Sequence, residues 1–271
     1  MRASATAKIN LALVVGPVRA DGKHEVATVM QRLALADRVE LTHGDGLTVE
    51  GFAEDTLVRA ALTALAIEAG VRPRWRAHIS KHIPVASGLG GGSSDAATAL
   101  LLANASLDEP IPDDRLHDLA RALGADVPFF LASGPQLGQE EGAALTPLDL
   151  PQDYFVLLVL PRGAAKLATA DVYDDFDRRD GGDGYEARRA ALLEAVSNVV
   201  RPRDLAALPP NDLASSPLAD ELRALGAFRA DVSGAGPTVY GLFHHRQTAD
   251  AAQRRLRSGG RTWLTAPAWY G

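Results

Sequence analysis

Residues 84–105 read PVASGLGGGSSDAATALLLANA, and the fold is decided by how this stretch is understood. Glycines at 88, 90, 91 and 92 carry no Cβ, so main-chain N–H groups there can converge on an anion. Ser93-Ser94-Asp95 is a helix N-cap signal, and the alanine- and leucine-rich run behind it is a strong helix former. Such a helix adds unbonded N–H groups and the positive end of its dipole. A triphosphate is the natural guest of this loop. The plain alternative, a flexible Gly/Ser linker, fits poorly between Pro84 and a capped helix. Two common nucleotide motifs do not fit either. The P-loop fails because no Gly-Lys pair follows the glycines at the required spacing, and the dinucleotide fingerprint needs a glycine at Ser93.

Working outward, RWRAHISKHI (74–83) alternates like a half-buried strand, and apolar spacing predicts a helix over Thr56–Ala69, stopped by Gly70 and Pro73. Strands are expected at 5–15, 25–33, 37–43 and 47–51. Downstream, a helix over 113–123 ends at Gly124, and YFVLLVLP (154–161) reads as a strand buried on both faces. A helix-rich stretch from 169 to 225 is broken at 180–184 and at Pro209-Pro210. A strand–loop–strand unit (228–245), a helix (248–257) and a short strand follow. The pattern is α+β, with a domain boundary near residue 150 and no internal repeat.

With 28 basic and 34 acidic residues the net charge is −6, so no excess of positive charge invites nucleic acid or an anionic membrane. A small phosphorylated ligand needs only local positive potential. Cysteine is absent, which excludes disulfides, thiolate–zinc sites and a cysteine nucleophile. No apolar run approaches the roughly 18 residues of a membrane span, and residues 1–16 lack a signal-peptide pattern. The expectation is a soluble cytoplasmic protein, a monomer or weak homodimer.

Several side chains could carry chemistry. Lys8 sits in an apolar strand pattern, where its ammonium must snorkel to water or meet a carboxylate or phosphate. Asp126, in LGADVPFFL (123–131), suits either a positioned general base or a loop-stabilising carboxylate. SGAGPTV (233–239) is a second glycine unit, by itself no more than a turn. His24 could be an ordinary turn histidine and Tyr173 a core residue. DDFDRRDGGDG (174–184) reads as a solvated surface loop, and Trp75, Trp263 and Trp269 suggest no role.

Taken together, AKINLALVV (7–15), DGKHEVATVMQRL (21–33), TLVRAA (56–61), the 81–104 segment, LGADVPFFL, NDL (211–213) and SGAGPTVYGLF (233–243) resemble the GHMP kinase superfamily. AKINL with DGxH narrows the resemblance to its branch acting on a cytidine-diphosphate-linked polyol in non-mevalonate isoprenoid synthesis. The resemblance implies a two-domain α+β GHMP fold with the active site between the domains. It implies an N-terminal ATP-binding domain over 1–150 and a C-terminal domain over 151–271. ATP is implied as co-substrate, with Mg2+ accompanying it and its protein ligands undefined. Asp126 would accept the hydroxyl proton, and Lys8 would orient it and stabilise negative charge. Gly88, Leu89, Gly90, Gly91, Gly92, Ser93 and Ser94 would wrap the phosphates, with Pro84, Val85, Ala86 and Ser87 also binding ATP and Thr56, Lys81 and Asp95 lining the adenosine pocket. Asn10, His24 and Tyr173 would hold the substrate. Lys23 stands where the family has a tyrosine, so it offers the base or diphosphate a cation in place of a π-face. The same resemblance admits a GHMP kinase acting on another small alcohol, or a non-catalytic sensor of that fold.

Overall fold

The computed structural model describes residues 1–164 and 168–268; Trp269 lies outside the described residues. The chain forms two compact units that interleave along the sequence. One comprises Met1–Ala7, Leu35–Val85 and Gly90–Ser133, the other Lys8–Ala34, Ala86–Leu89 and Gly134–Gly271. Mixed helix and sheet content, expected from the pattern, is what the structure has.

In the first unit, the C-terminal half of β2 (His24–His43) pairs antiparallel with β4 (Trp75–Ser80), Arg38 opposite Ser80. β3 (Thr48–Glu50) joins β4 in parallel. The two strands expected at 25–33 and 37–43 are therefore one. Ala34-Leu35-Ala36 carries no breaker, and nothing local stops the extended backbone. β4 ends at Ser80 rather than 83, because the N–H groups of His82 and Ile83 bond to the Asp37 carboxylate instead of continuing the ladder.

α1 (Leu57–Glu68) buries Val58, Ala61, Leu62, Leu65 and Ala66, one stripe at helical period. It packs on α2 (Gly91–Asn104) and α3 (Asp113–Leu123). In α2 the small residues Ala96, Ala97, Ala99 and Ala103 are all buried, which lets neighbouring backbone approach closely. The helix begins earlier than its Ser93-Ser94-Asp95 signal. Gly90 takes the N-cap position at φ 72°, open to a glycine without strain, and no side chain caps the end.

In the second unit, β10 (Gly260–Thr265), β7 (Phe155–Pro161), β9 (Val239–Phe243) and β8 (Arg229–Val232) form an antiparallel sheet in that order. β7 is an inner strand, and Val156, Leu157, Leu158 and Val159 are all buried, as its unbroken apolar run predicts. α6 (Pro217–Ala224) and α7 (Arg246–Leu256) cover the sheet, with Leu222, Leu256, Val232 and Phe243 in the shared core. Nearer the N-terminus, β1 (Arg2–Val18) pairs with β2, and β2 also receives the hairpin of β5 (Gln136–Gln139) and β6 (Ala144–Pro147). α4 (Thr169–Arg178) and α5 (Tyr185–Ser197) complete the unit. Part of the run read as a surface loop, residues 174–178, is thus helical, and Phe176 in it is buried beside Val172. Among the described residues, no helix is long and apolar enough to cross a membrane.

Candidate functional site

In the first unit, α2 opens with glycine at its first two positions and Ser93 at the third. The first closing bond runs from Ser94 N to Gly90 O at 2.9 Å, so the amides of Gly91, Gly92 and Ser93 precede any intrahelical partner. That is the donor geometry an oxyanion needs.

Beneath this turn lies an ion bridge. The Lys81 ammonium donates to Asp37 Oδ2 and, at 2.6 Å, to Asp95 Oδ2. Its charge also lies 5.7 Å from the Phe52 ring. Two carboxylates share one ammonium in a buried place, so one negative charge is in excess. Burial is the largest influence on Asp95, and the Asp37 and Asp55 carboxylates add to it; against the pull of Lys81 they push Asp95 up to about 7. Burial works against the Lys81 charge, but the two carboxylates outweigh it and raise its pKa. Asp95 Oδ1 has no hydrogen-bond partner among the described residues.

The folded chain holds the Asp95 proton more tightly than the unfolded chain, whose carboxylate titrates near 3.8. Stability from this group is full below that value and is lost as pH rises through about 7. The loss is on the order of a few kcal/mol. Melting temperature is expected to fall between pH 5 and pH 8 in the wild type, with this component missing in Asp95→Asn. An identical pH response in both proteins would remove Asp95 as the titrating group.

Thr56 is exposed at the start of α1, where Asp55 does the capping by accepting from Val58 N at 3.1 Å and Arg59 N at 3.2 Å. Asp126 is half-buried in the turn after α3, ahead of the buried Pro128, Phe129 and Phe130. Pro84 is buried and Val85 exposed.

In the second unit, Lys8 is 4% exposed and does not snorkel. Its Nζ donates to the amide oxygen Asn10 Oδ1 at 2.8 Å. Alternation in β1 puts both side chains on one face. Asn10 Nδ2 donates to Thr28 Oγ1 at 2.8 Å, which donates on to Ala12 O. Ala86–Leu89 comes to the same place: Lys8 N bonds Leu89 O at 2.9 Å, and Ser233 Oγ donates to Gly88 O at 3.0 Å. A Cβ on Gly234 would lie 3.4 Å from Asn10 Oδ1 and 3.8 Å from Lys8 Nζ, so the second glycine turn packs directly against this pair. Asn211 holds that turn by donating to Val232 O at 3.0 Å and Gly234 O at 2.7 Å.

His24 and Tyr173 are brought together, ring centroids 4.6 Å apart and planes tilted by 32°. His24 Nε2 is 2.9 Å from Asp177 Oδ1. Lys23 is exposed, 3.9 Å from Glu141 Oε1. Asp37, Thr28, Asp177 and Ser233 escaped the sequence reading. Their polar signals stand far from their partners in the chain, and only the fold makes them neighbours.

The family described as GHMP kinases N terminal domain matches residues 56–134, and that described as GHMP kinases C terminal matches 184–262. The chain belongs to the GHMP kinase family and is therefore an enzyme of the kinase class. Within that family it is similar to proteins named 4-diphosphocytidyl-2-C-methyl-D-erythritol kinase. The one from Geobacter sulfurreducens is 36% identical over 97% of this chain and 96% of that protein. The one from Salinispora tropica is 38% identical over 93% and 85%. A crystal structure of 4-(cytidine 5'-diphospho)-2C-methyl-D-erythritol kinase superposes with a TM-score of 0.81 at 33% identity, covering 99% of this chain and 100% of that one.

Proposed function

We propose that this chain transfers the γ-phosphoryl group of ATP to the 2-hydroxyl of 4-diphosphocytidyl-2-C-methyl-D-erythritol, in non-mevalonate isoprenoid precursor synthesis. The observation that carries this reading is end-to-end similarity to relatives bearing that name, with little of either chain left uncovered. In this reading the domain division falls near residue 150, between the two matched family spans.

The amides at the start of α2 take the phosphates, together with Pro84–Ser94 around them; Thr56, Lys81 and Asp95 line the adenosine pocket. Asp126 accepts the proton of the attacking hydroxyl. Lys8 orients Asp126 and offsets negative charge as the phosphoryl group moves, with Asn10 fixing its ammonium and helping to place the substrate. His24 reads the cytosine edge, and Tyr173 lies against the ring. Phosphoryl transfer needs little covalent help from a protein, so positioning and charge stabilisation suffice.

Magnesium fits as a companion of the nucleotide. Among the described residues no group of three or more His, Cys, Asp or Glu is placed to hold a metal. In the α2 turn Ser93 is half-buried and Ser94 buried, so the ion would be carried mainly by phosphate oxygens. When bound, the ion neutralises charge on the β- and γ-phosphates.

An ADP-release assay over a panel of acceptors tests the reading. Turnover is expected with the cytidyl substrate and not with mevalonate, homoserine or galactose. Turnover confined to another alcohol would reassign the substrate within the family, and ATP binding without any turnover would point to a sensor.

A further inference from the structure

We propose that Asp37 is a positioning residue for nucleotide binding, acting through Lys81 on the opening turn of α2. The inference rests on the ATP assignment above. Asp37 stands in β2 and is 1% exposed, a charged side chain on a strand whose next buried positions are Val39 and Leu41. Its oxygens serve one short segment. Oδ1 accepts from His82 N and, at 2.8 Å, from Ile83 N; Oδ2 accepts from the Lys81 ammonium. Residues 81–83 are the last before Pro84 and the glycine run.

The second partner of Lys81 is Asp95, the fifth residue of α2. One ammonium is therefore gripped by a carboxylate anchored in the sheet and by another carried on the helix. The helix start also sits directly on this anchor. A Cβ at Gly91 would lie 3.4 Å from Asp37 Oδ2 and 3.1 Å from Ile83 Cγ2. Asp37 thus sets both the strand that leads into the loop and the height of the turn whose amides face the phosphates.

Stability alone is a poor account of this arrangement. Desolvating three charges largely cancels their attraction, and apolar replacements of such triads are often neutral or better. Fixed placement is what a directional bridge adds and apolar contact does not.

Calorimetric titration with MgATP into the wild type, Asp37→Asn, Lys81→Met and the double variant tests the proposal. Asparagine retains an oxygen for the His82 and Ile83 amides and removes only the charge that meets Lys81. Asp37→Asn is expected to weaken ATP binding about ten- to hundredfold, the scale of a small misplacement. KM for ATP should rise with it, while kcat at saturating ATP stays within about threefold. A defect of folding alone would lower kcat and leave KM for ATP unchanged. In the Lys81→Met background the same change should matter less than about twofold, because the intermediary is gone. Should Asp37→Asn fail to fold, Asp37→Glu keeps the charge but displaces it from Lys81 and carries the same expectation. Equal ATP affinity in wild type and variant, or an undiminished shift without Lys81, overturns the proposal. A wild type that takes up no ATP sinks the function proposed above and this inference with it.

Discussion

Asp126→Asn is expected to lower kcat by about 10²–10⁴, the typical contribution of a positioned general base. The variant is near-isosteric, and the residue is half-buried in a turn whose main-chain bond runs from Val127 N to Gly124 O at 3.1 Å. That bond uses no Asp126 side-chain atom, so the turn itself should persist. What changes is chemistry, since an amide cannot take the hydroxyl proton. ATP affinity should be unaltered because the phosphates meet main-chain amides of another segment. Measuring kcat, KM for both substrates and ATP affinity separates these effects. A kcat within about threefold of wild type would remove Asp126 as base. Some residual turnover is expected even so, because phosphoryl transfer depends mainly on alignment and charge.

The second large effect is expected at Gly88. Its φ is +81°, and a Cβ there would lie 2.5 Å from Ser233 O and 2.7 Å from Gly236 O. Both obstacles are backbone, so no side chain can swing aside. The loop is also tied at this place by Ser233 Oγ to Gly88 O and by Thr238 N to Ser87 O at 3.2 Å. Gly88→Ala should therefore force the two glycine turns apart. A loss of about 3 kcal/mol or more in stability is expected, with turnover down by at least about tenfold. Gly70 supplies the control. It has φ +63° with nothing within 4 Å of its Cβ position, so Gly70→Ala meets only the conformational cost of about 1 kcal/mol. Thermal melts of the two variants distinguish collision from strain, and equal losses would mean that the Gly88 contact is dispensable.

Much of this architecture is legible in the chain itself. α3 occupies the predicted span because its stop signal, Gly124, is local. β7 is identifiable because a run of apolar residues admits few other fates. The glycine loop before α2 is equally plain. Less was readable where a distant partner decides the outcome. Asp37 looks like a solvent charge opening a strand, and its partner Lys81 is 44 positions away. The start of α2 was read from serine capping chemistry, yet Gly90 begins the helix by a backbone conformation that needs no cap. Lys8 is the opposite case, an unusual charge whose amide partner Asn10 sits two residues along the same strand face and is legible from alternation. The interleaving of the two units also leaves no trace in composition, since strands β1 and β2 each contribute to both.

Phosphoryl transfer to one particular oxygen is the claim on which the functional account stands. Its most direct test incubates the purified protein with MgATP and the cytidyl substrate and follows the products by phosphorus and carbon NMR. One ADP should appear for each new phosphomonoester, with carbon–phosphorus coupling locating the phosphate on the 2-oxygen. A phosphate on any other oxygen, or ADP formed with the polyol left unchanged, would contradict it.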